Sequence, residues 1–182
     1  MSLNLVRWSG LAGMLGGALW VLKAVGDGSG AFTGPNNVAE VSFFIVPLLL
    51  LAGLAGLYAR YVEYMARVGR AGFIQGFLGL AFLAAGFLAS FSFGVDGVEQ
   101  ILSFGFLILT LGLVLLGFDT LKTEPLPRWN FLPLTMGVLI PLSVVAGDLV
   151  WLRVAISALF GLGWTLLGYL LWSKADASGG EP

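Results

Sequence analysis

The chain has 182 residues, 58% hydrophobic and only 10% charged, where an ordinary soluble domain carries about 25% charged residues. Nine basic residues against ten acidic ones leave no surplus for gripping nucleic acid. With no cysteine and no histidine, disulfides, thiol catalysis, zinc clusters, imidazole acid–base chemistry and the usual haem ligands are excluded. A globule of this length cannot hide so much apolar surface from water, so the expected solvent is lipid.

A helical membrane crossing needs about 20 mainly apolar residues, because each backbone polar group must be satisfied internally. Six stretches meet that need: Trp8 to Val25, Glu40 to Tyr61, Ala71 to Gly94, Glu99 to Leu121, Asn130 to Gly147 and Leu149 to Ser173. The runs are continuously apolar, without the period-two alternation of a lipid-facing barrel. They predict an all-α, polytopic membrane protein: a compact six-transmembrane-helix bundle forming a single transmembrane domain over 1–182.

In the first stretch Arg7 precedes the apolar run, and Ala24-Val25-Gly26 offers a signal-cleavage pattern. The run is long for a signal, carries glycines at packing intervals and ends in Lys23, all of which favour a retained span. Gly26 to Ala39, with Gly-Asp-Gly-Ser-Gly and Gly-Pro-Asn-Asn, reads as an irregular external loop. After the second stretch, Arg60, Glu63 and Arg67 have spacings that prolong the helix with paired charges. Leu121 to Trp129, with Pro125 and Pro127, reads as a stiff extended connector. The polar tail 174–182 reads as disordered.

Charge gives the direction of threading. Arg7, Arg60, Arg67, Arg70, Lys122, Arg128 and Lys174 fall on one side, which the positive-inside bias makes cytoplasmic. Both termini are then cytoplasmic, in a plasma or bacterial inner membrane. Trp8, Tyr58, Tyr61, Tyr64, Trp129, Tyr169 and Trp172 would belt the inner interface, and Trp20 and Trp151 the outer one. The first three and last three spans would enter the membrane from opposite sides, as inverted repeats require. The residues offer only a brief echo, Leu19 to Ala24 against Leu171 to Ala175, too short to count as duplication.

Glycine is abundant, with 27 residues. The pairs Gly13/Gly17 and Gly72/Gly76, and the stripe Ala155, Ala158 and Gly161, allow helix backbones to approach closely. They predict packing within the bundle, with a face for a second copy or a partner subunit as the alternative. Pro47 and Pro141 fall inside spans and predict kinks, while Pro133 reads as a starting residue.

Charge within lipid is costly, so its position carries meaning. Asp119 can pair with Lys122. Lys23 and Arg153 lie near the outer ends of their spans and share that face with Asp27, Glu40, Asp96, Glu99 and Asp148. With Gln100, Ser103 and Trp20 inside it, this cluster is the candidate ligand-binding site: an outward-facing polar pocket for a small polar or cationic solute, bound or transported. The competing reading treats the acids as ordinary loop residues and the two bases as paired or snorkelling. Intramembrane hydroxyls are expected to bond their own helix, leaving Gln75 as the polar side chain to watch. Asp96-Gly97-Val98-Glu99 has two carboxylates three residues apart but lacks the Ala-Arg and the later paired aspartates of the lipid alcohol phosphotransferases, and it lies on the wrong side. Only carboxylates, lysine, tyrosine and hydroxyls remain for catalysis and no arrangement of them stands out, so an enzyme is the least favoured reading, and no cofactor is implied.

Overall fold

A computed structural model describes residues 3–32, 44–93, 98–124, 126 and 128–177. They form six helices: α1 (Leu3–Ser29), α2 (Ile45–Tyr61), α3 (Arg67–Phe93), α4 (Val98–Thr123), α5 (Leu132–Val145) and α6 (Val150–Ala177), with no strand among the described residues. Each of the six apolar stretches is therefore a helix. Four of them, α1, α3, α4 and α6, are long and apolar enough to cross a membrane. At 1.5 Å per residue, the 17 residues of α2 extend about 26 Å and the 14 of α5 about 21 Å, less than the roughly 30 Å of a hydrocarbon core.

The helices stand in a closed ring, each packed on its sequence neighbours, with α6 closing onto α1. Neighbours run antiparallel. Gly10 meets Gly168 while Gly17 meets Gly161, so positions rise in α1 as they fall in α6; Gly72 meets Gly112 and Gly105 meets Gly79 in the same sense between α3 and α4. Leu50, Leu54, Leu80, Leu83, Leu109, Leu113, Met136 and Trp164 fill the middle and are almost fully buried. The outside is apolar too, with Leu15, Leu22, Ile74, Leu107, Leu111 and Leu162 among the exposed side chains, as contact with lipid requires.

The α1–α6 and α3–α4 pairs are the most extensive contacts, and both are built on glycine. A Cβ on Gly17 would lie 2.5 Å from the carbonyl oxygen of Gly161, and one on Gly72 would lie 2.6 Å from the backbone nitrogen of Leu116. Backbone meets backbone, which maximises dispersion where no hydrophobic force joins helices. The spacing in each strip is seven residues: Gly10 and Gly17, Gly161 and Gly168, Gly72 and Gly79, Gly105 and Gly112. That period keeps one seam aligned over several turns. The glycines of the sequence-predicted GxxxG pairs are thus used inside the chain, Gly13 and Gly17 against Gly53 and Gly161, and Gly72 and Gly76 against Gly112. Of the small-residue stripe in α6, Gly161 is buried but Ala155 is exposed.

The pairing pattern is preserved when α1, α2 and α3 are exchanged with α4, α5 and α6. The tight pair α1–α6 becomes α4–α3, α1–α2 becomes α4–α5, and α2–α3 becomes α5–α6. The glycine contacts follow in register, Gly10–Gly168 and Gly17–Gly161 corresponding to Gly105–Gly79 and Gly112–Gly72. Each half also has its shortest helix in the middle. Any closed ring of six alternating helices allows this exchange; it keeps the order round the ring while reversing each helix, whereas a two-fold axis in the membrane plane reverses that order, so the halves are not an inverted three-helix repeat. The short echo between Leu19–Ala24 and Leu171–Ala175 joins α1 to α6, which the exchange does not relate.

Several connections differ from their sequence expectations. Gly26 to Ser29 belong to α1 rather than to a loop. The helix ends only at Gly30, whose φ is 74°, with Ala31 N–H donating to Gly26 O (3.0 Å) and Gly30 N–H to Asp27 O (3.3 Å). This is a Schellman stop, sealed by the Phe32 ring against Gly26. Arg60 and Arg67 do not share a prolonged helix, because α2 stops at Tyr61 and α3 begins at Arg67. The connector before α5 is folded in rather than extended: Leu126 is buried, its N–H donates to Asn130 Oδ1 at 2.7 Å, and Glu124 and Arg128 adopt φ of 49° and 68°. Pro47 is the third residue of α2, where no intrahelical N–H is lost, so it starts the helix instead of kinking it. Pro133 sits in the first turn of α5 as expected, and the helix continues through Pro141. Residues 174–177 extend α6 rather than beginning a disordered tail. The remainder of that tail, Pro125, Pro127 and the second half of the external loop, 33–39, lie outside the described residues.

Steric detail separates the two members of each GxxxG pair. A Cβ on Gly13 would sit 3.4 Å from its nearest atom, and one on Gly76 3.3 Å from a flexible Leu54 methyl, whereas Gly17 and Gly72 face backbone. Gly17→Ala and Gly72→Ala should therefore each lower stability by about 1–3 kcal/mol, while Gly13→Ala and Gly76→Ala stay near wild type. Thermal unfolding in detergent checks this, and equal losses within a pair would contradict the seam described here.

Candidate functional site

Because neighbours alternate in direction, the C-terminal ends of α1, α3 and α5 and the starts of α4 and α6 lie at one end of the ring. Lys23, Asp27, Glu99, Gln100, Asp148 and Arg153 all belong to it; Glu40 and Asp96 lie outside the described residues. Lys23 Nζ bonds Asp27 Oδ2 at 2.7 Å, the i,i+4 pair expected from their spacing. The others are spread around the rim. Glu99 and Gln100 are exposed on α4, where with Ser103, Phe104 and Leu107 they line an open hollow of about 450 Å³ on the outer surface of that single helix. Asp148 and Arg153 are exposed at the α5–α6 turn, which Gly147 makes with φ 51°. Among the described residues, no three acidic side chains gather closely enough to hold a metal ion.

Below this rim lies a recess of about 60 Å³, lined by Trp20 of α1, Phe106 of α4, Ile140 and Ser143 of α5, and Ser157 and Phe160 of α6. Ser157 is seven residues into α6, so the recess is about 10 Å below that helix's start. Trp20 packs edge-on to Phe160 (centroids 5.2 Å apart) and to Phe106 (6.2 Å), joining α1 to α4 across the ring. Trp20 is thus a half-buried wall of this space and not a belt residue, whereas Trp151 is 78% exposed. Ser143 Oγ donates to Ile140 O at 2.6 Å, leaving its lone pairs for another donor. Thr135 and Thr165 likewise bond their own helices, as anticipated, while Thr120 donates both to Gly117 O of its helix (3.0 Å) and to Asn130 O of the connector (2.7 Å). A space of this size accommodates a water or a small solute group. Lys23, Glu99, Gln100 and Arg153 do not line it. The sequence did not point to Phe106, Ile140 or Phe160, which in a chain so rich in apolar residues carry no local mark.

At the opposite, arginine-rich end, Asp119 turns inward. It is 3% exposed, its Oδ2 has no hydrogen-bond partner, and that oxygen packs against Gly69 in the first turn of α3. The expected partner, Lys122, is exposed instead. The position suits a carboxylate, since the first-turn N–H groups of a helix present positive charge. Gln75 Oε1, Tyr61 Oη and Trp164 Nε1 are also buried without partners. The aromatic belt at this end is partly real surface, with Trp8 and Tyr64 exposed, and partly packing, with Tyr58 stacked on Phe73 at 4.1 Å.

No protein-family model, curated protein or solved structure matches the chain.

The half-exposed Lys23–Asp27 pair is a surface ion pair, and such pairs contribute little. A double-mutant cycle with Lys23→Ala and Asp27→Ala should give a coupling of about 0.2–1 kcal/mol, falling as salt rises. A coupling well above that range would mean the pair is desolvated in its working environment.

Proposed function

We propose that the protein is a multi-pass membrane protein with six spans, both termini on the cytoplasmic side, that binds a small polar or cationic solute in the recess at its acid-rich end. The observation that carries this reading is the recess itself. It is a gap between α1, α4 and α6, walled by Trp20, Phe106 and Phe160, with two serines among its lining, and small-solute sites in helix bundles lie between helices with a few polar groups among apolar walls. Aromatic faces attract small cations, and the serine hydroxyls accept hydrogen bonds from an ammonium group. Asp27, Glu99 and Asp148 at the rim raise the local concentration of positive solutes. Lys23 and Arg153 limit the net field there. In this reading α2 and α5 reach their interfaces through their flanking turns and through local thinning of the bilayer.

Methylammonium is the probe that tests binding. Calorimetry on the detergent-purified protein should show uptake that weakens about threefold to tenfold in Glu99→Gln and is abolished in Ser157→Leu, which fills the recess. Undiminished binding in Ser157→Leu would discard the site. The cysteine-free sequence makes topology equally testable: single cysteines replacing Glu124 and Asp148 should react with an impermeant maleimide from opposite sides of sealed vesicles.

A second reading, an accessory subunit, is favoured by a different observation. Gln100 and Ser103 are polar yet face outward from α4 beside exposed Phe104 and Leu107. Polar groups on an outer helix face gain from a partner helix in lipid. Here association would use the outer face of α4, since the glycine seams are already occupied. Disulfide trapping through Ser103→Cys distinguishes a second copy or partner there from a lipid-facing surface.

A further inference from the structure

The recess at the acid-rich end combines two kinds of lining. Ser143 of α5 and Ser157 of α6 bring hydroxyls from neighbouring helices, and the other described walls are apolar or aromatic, among them Trp20, Phe106, Ile156 and Phe160. The two hydroxyls differ in what they can do. Ser143 Oγ lies 2.6 Å from Ile140 O, and a carbonyl oxygen can only accept, so Ser143 commits its one proton there. Towards any third group it is an acceptor alone. Ser157 Oγ makes no hydrogen bond among the described residues, whereas Thr135 and Thr165 bond their own helices. A group that meets Ser143 must therefore bring its own N–H or O–H bonds. No charged side chain is among the described residues that line the recess, so a guest's charge is met by ring faces and by the field of the rim.

We infer that the recess selects a small primary alkylammonium, with Ser143 accepting from its N–H end and the rings and Ile156 taking its alkyl end. This rests on the solute-binding reading above and names the class of solute that site prefers. A bare metal cation needs a shell of oxygens, which two hydroxyls do not supply. Ammonium alone has nothing to place against the apolar walls, and each buried carbon adds to the affinity. A quaternary ammonium leaves the Ser143 acceptor facing an apolar surface, and a site built on hydrogen bonds rejects a guest that cannot make them. A neutral alcohol brings an O–H but forgoes the attraction of the ring faces. The volume of about 60 Å³ sets the length of the tail: one water occupies roughly 10–15 Å³ by the same measure, so the guest has only a few non-hydrogen atoms.

The test is calorimetry on the full chain in detergent, with ethylammonium, dimethylammonium and ethanol as probes. The two cations are isomers of equal charge and similar size. Ethylammonium gathers its N–H bonds at one end, whereas dimethylammonium flanks them with a methyl on either side. Ethylammonium should bind about threefold to tenfold more tightly, the effect of one hydrogen bond. Ethanol should bind about tenfold more weakly than ethylammonium. Ser143→Ala should bring the two cations to equal affinity, while Thr135→Val, which removes a hydroxyl near the other end of α5, should keep the preference. The isomer comparison needs no variant, so it decides the matter even if Ser143→Ala fails to fold. Equal binding of the isomers, a preference that survives Ser143→Ala, or ethanol bound as tightly as ethylammonium would each overturn the selectivity. Methylammonium binding with ethylammonium excluded would overturn it too, since the apolar side would then take no tail. Absence of methylammonium binding, or binding unchanged in Ser157→Leu, would instead overturn the recess reading itself.

Discussion

Close backbone contact between antiparallel helices is the constraint on which this structure depends. In α1–α6 and α3–α4, glycines at seven-residue intervals leave no room for even a methyl group between the two main chains. In lipid this is the contact that rewards association, because apolar side chains are equally comfortable facing solvent or facing one another. Once the two seams are set, the large side chains are sorted to the remaining surfaces. Leucines, Met136 and Trp164 fill the ring's middle, and further leucines and phenylalanines cover its outside. The recess opens where aromatic rings meet instead of glycines, at Trp20, Phe106 and Phe160. There the rings meet edge-on, Trp20 against Phe160 and Phe106, and leave a gap between them.

The two ends of the ring differ electrostatically. At one of them Asp119 is buried against the start of α3, among exposed groups that are mainly arginine and lysine. At the other end Lys23 is engaged by Asp27, which leaves Glu99, Asp148 and Arg153 at the rim.

Composition and hydropathy were enough to locate every helix, because a lipid-solvated backbone must satisfy itself over long apolar runs. Helix ends were less legible. Asp27 and Gly28 look like loop residues, yet α1 runs through them because Val154 covers Gly28 and the Phe32 ring seals Gly26. Asn130 tucks the connector inward by a hydrogen bond to Leu126 that no local pattern announces. The glycine pairs at four-residue spacing were visible, but the controlling interval is seven. Gly10, Gly79, Gly105, Gly112, Gly161 and Gly168, six of the eight glycines in that register, belong to no GxxxG pair.

From its sequence alone the chain determined its apolar character, its six described helices, the segregation of arginines from acids, and the chemistry it forgoes for want of cysteine and histidine. These are properties of single segments, set by transfer free energies and backbone hydrogen bonding. Which helices pair, and which of the polar groups line a space, were decided only by tertiary structure. Those outcomes depend on side-chain volumes meeting across helices distant in sequence, and a one-dimensional pattern does not encode which glycine will face which carbonyl.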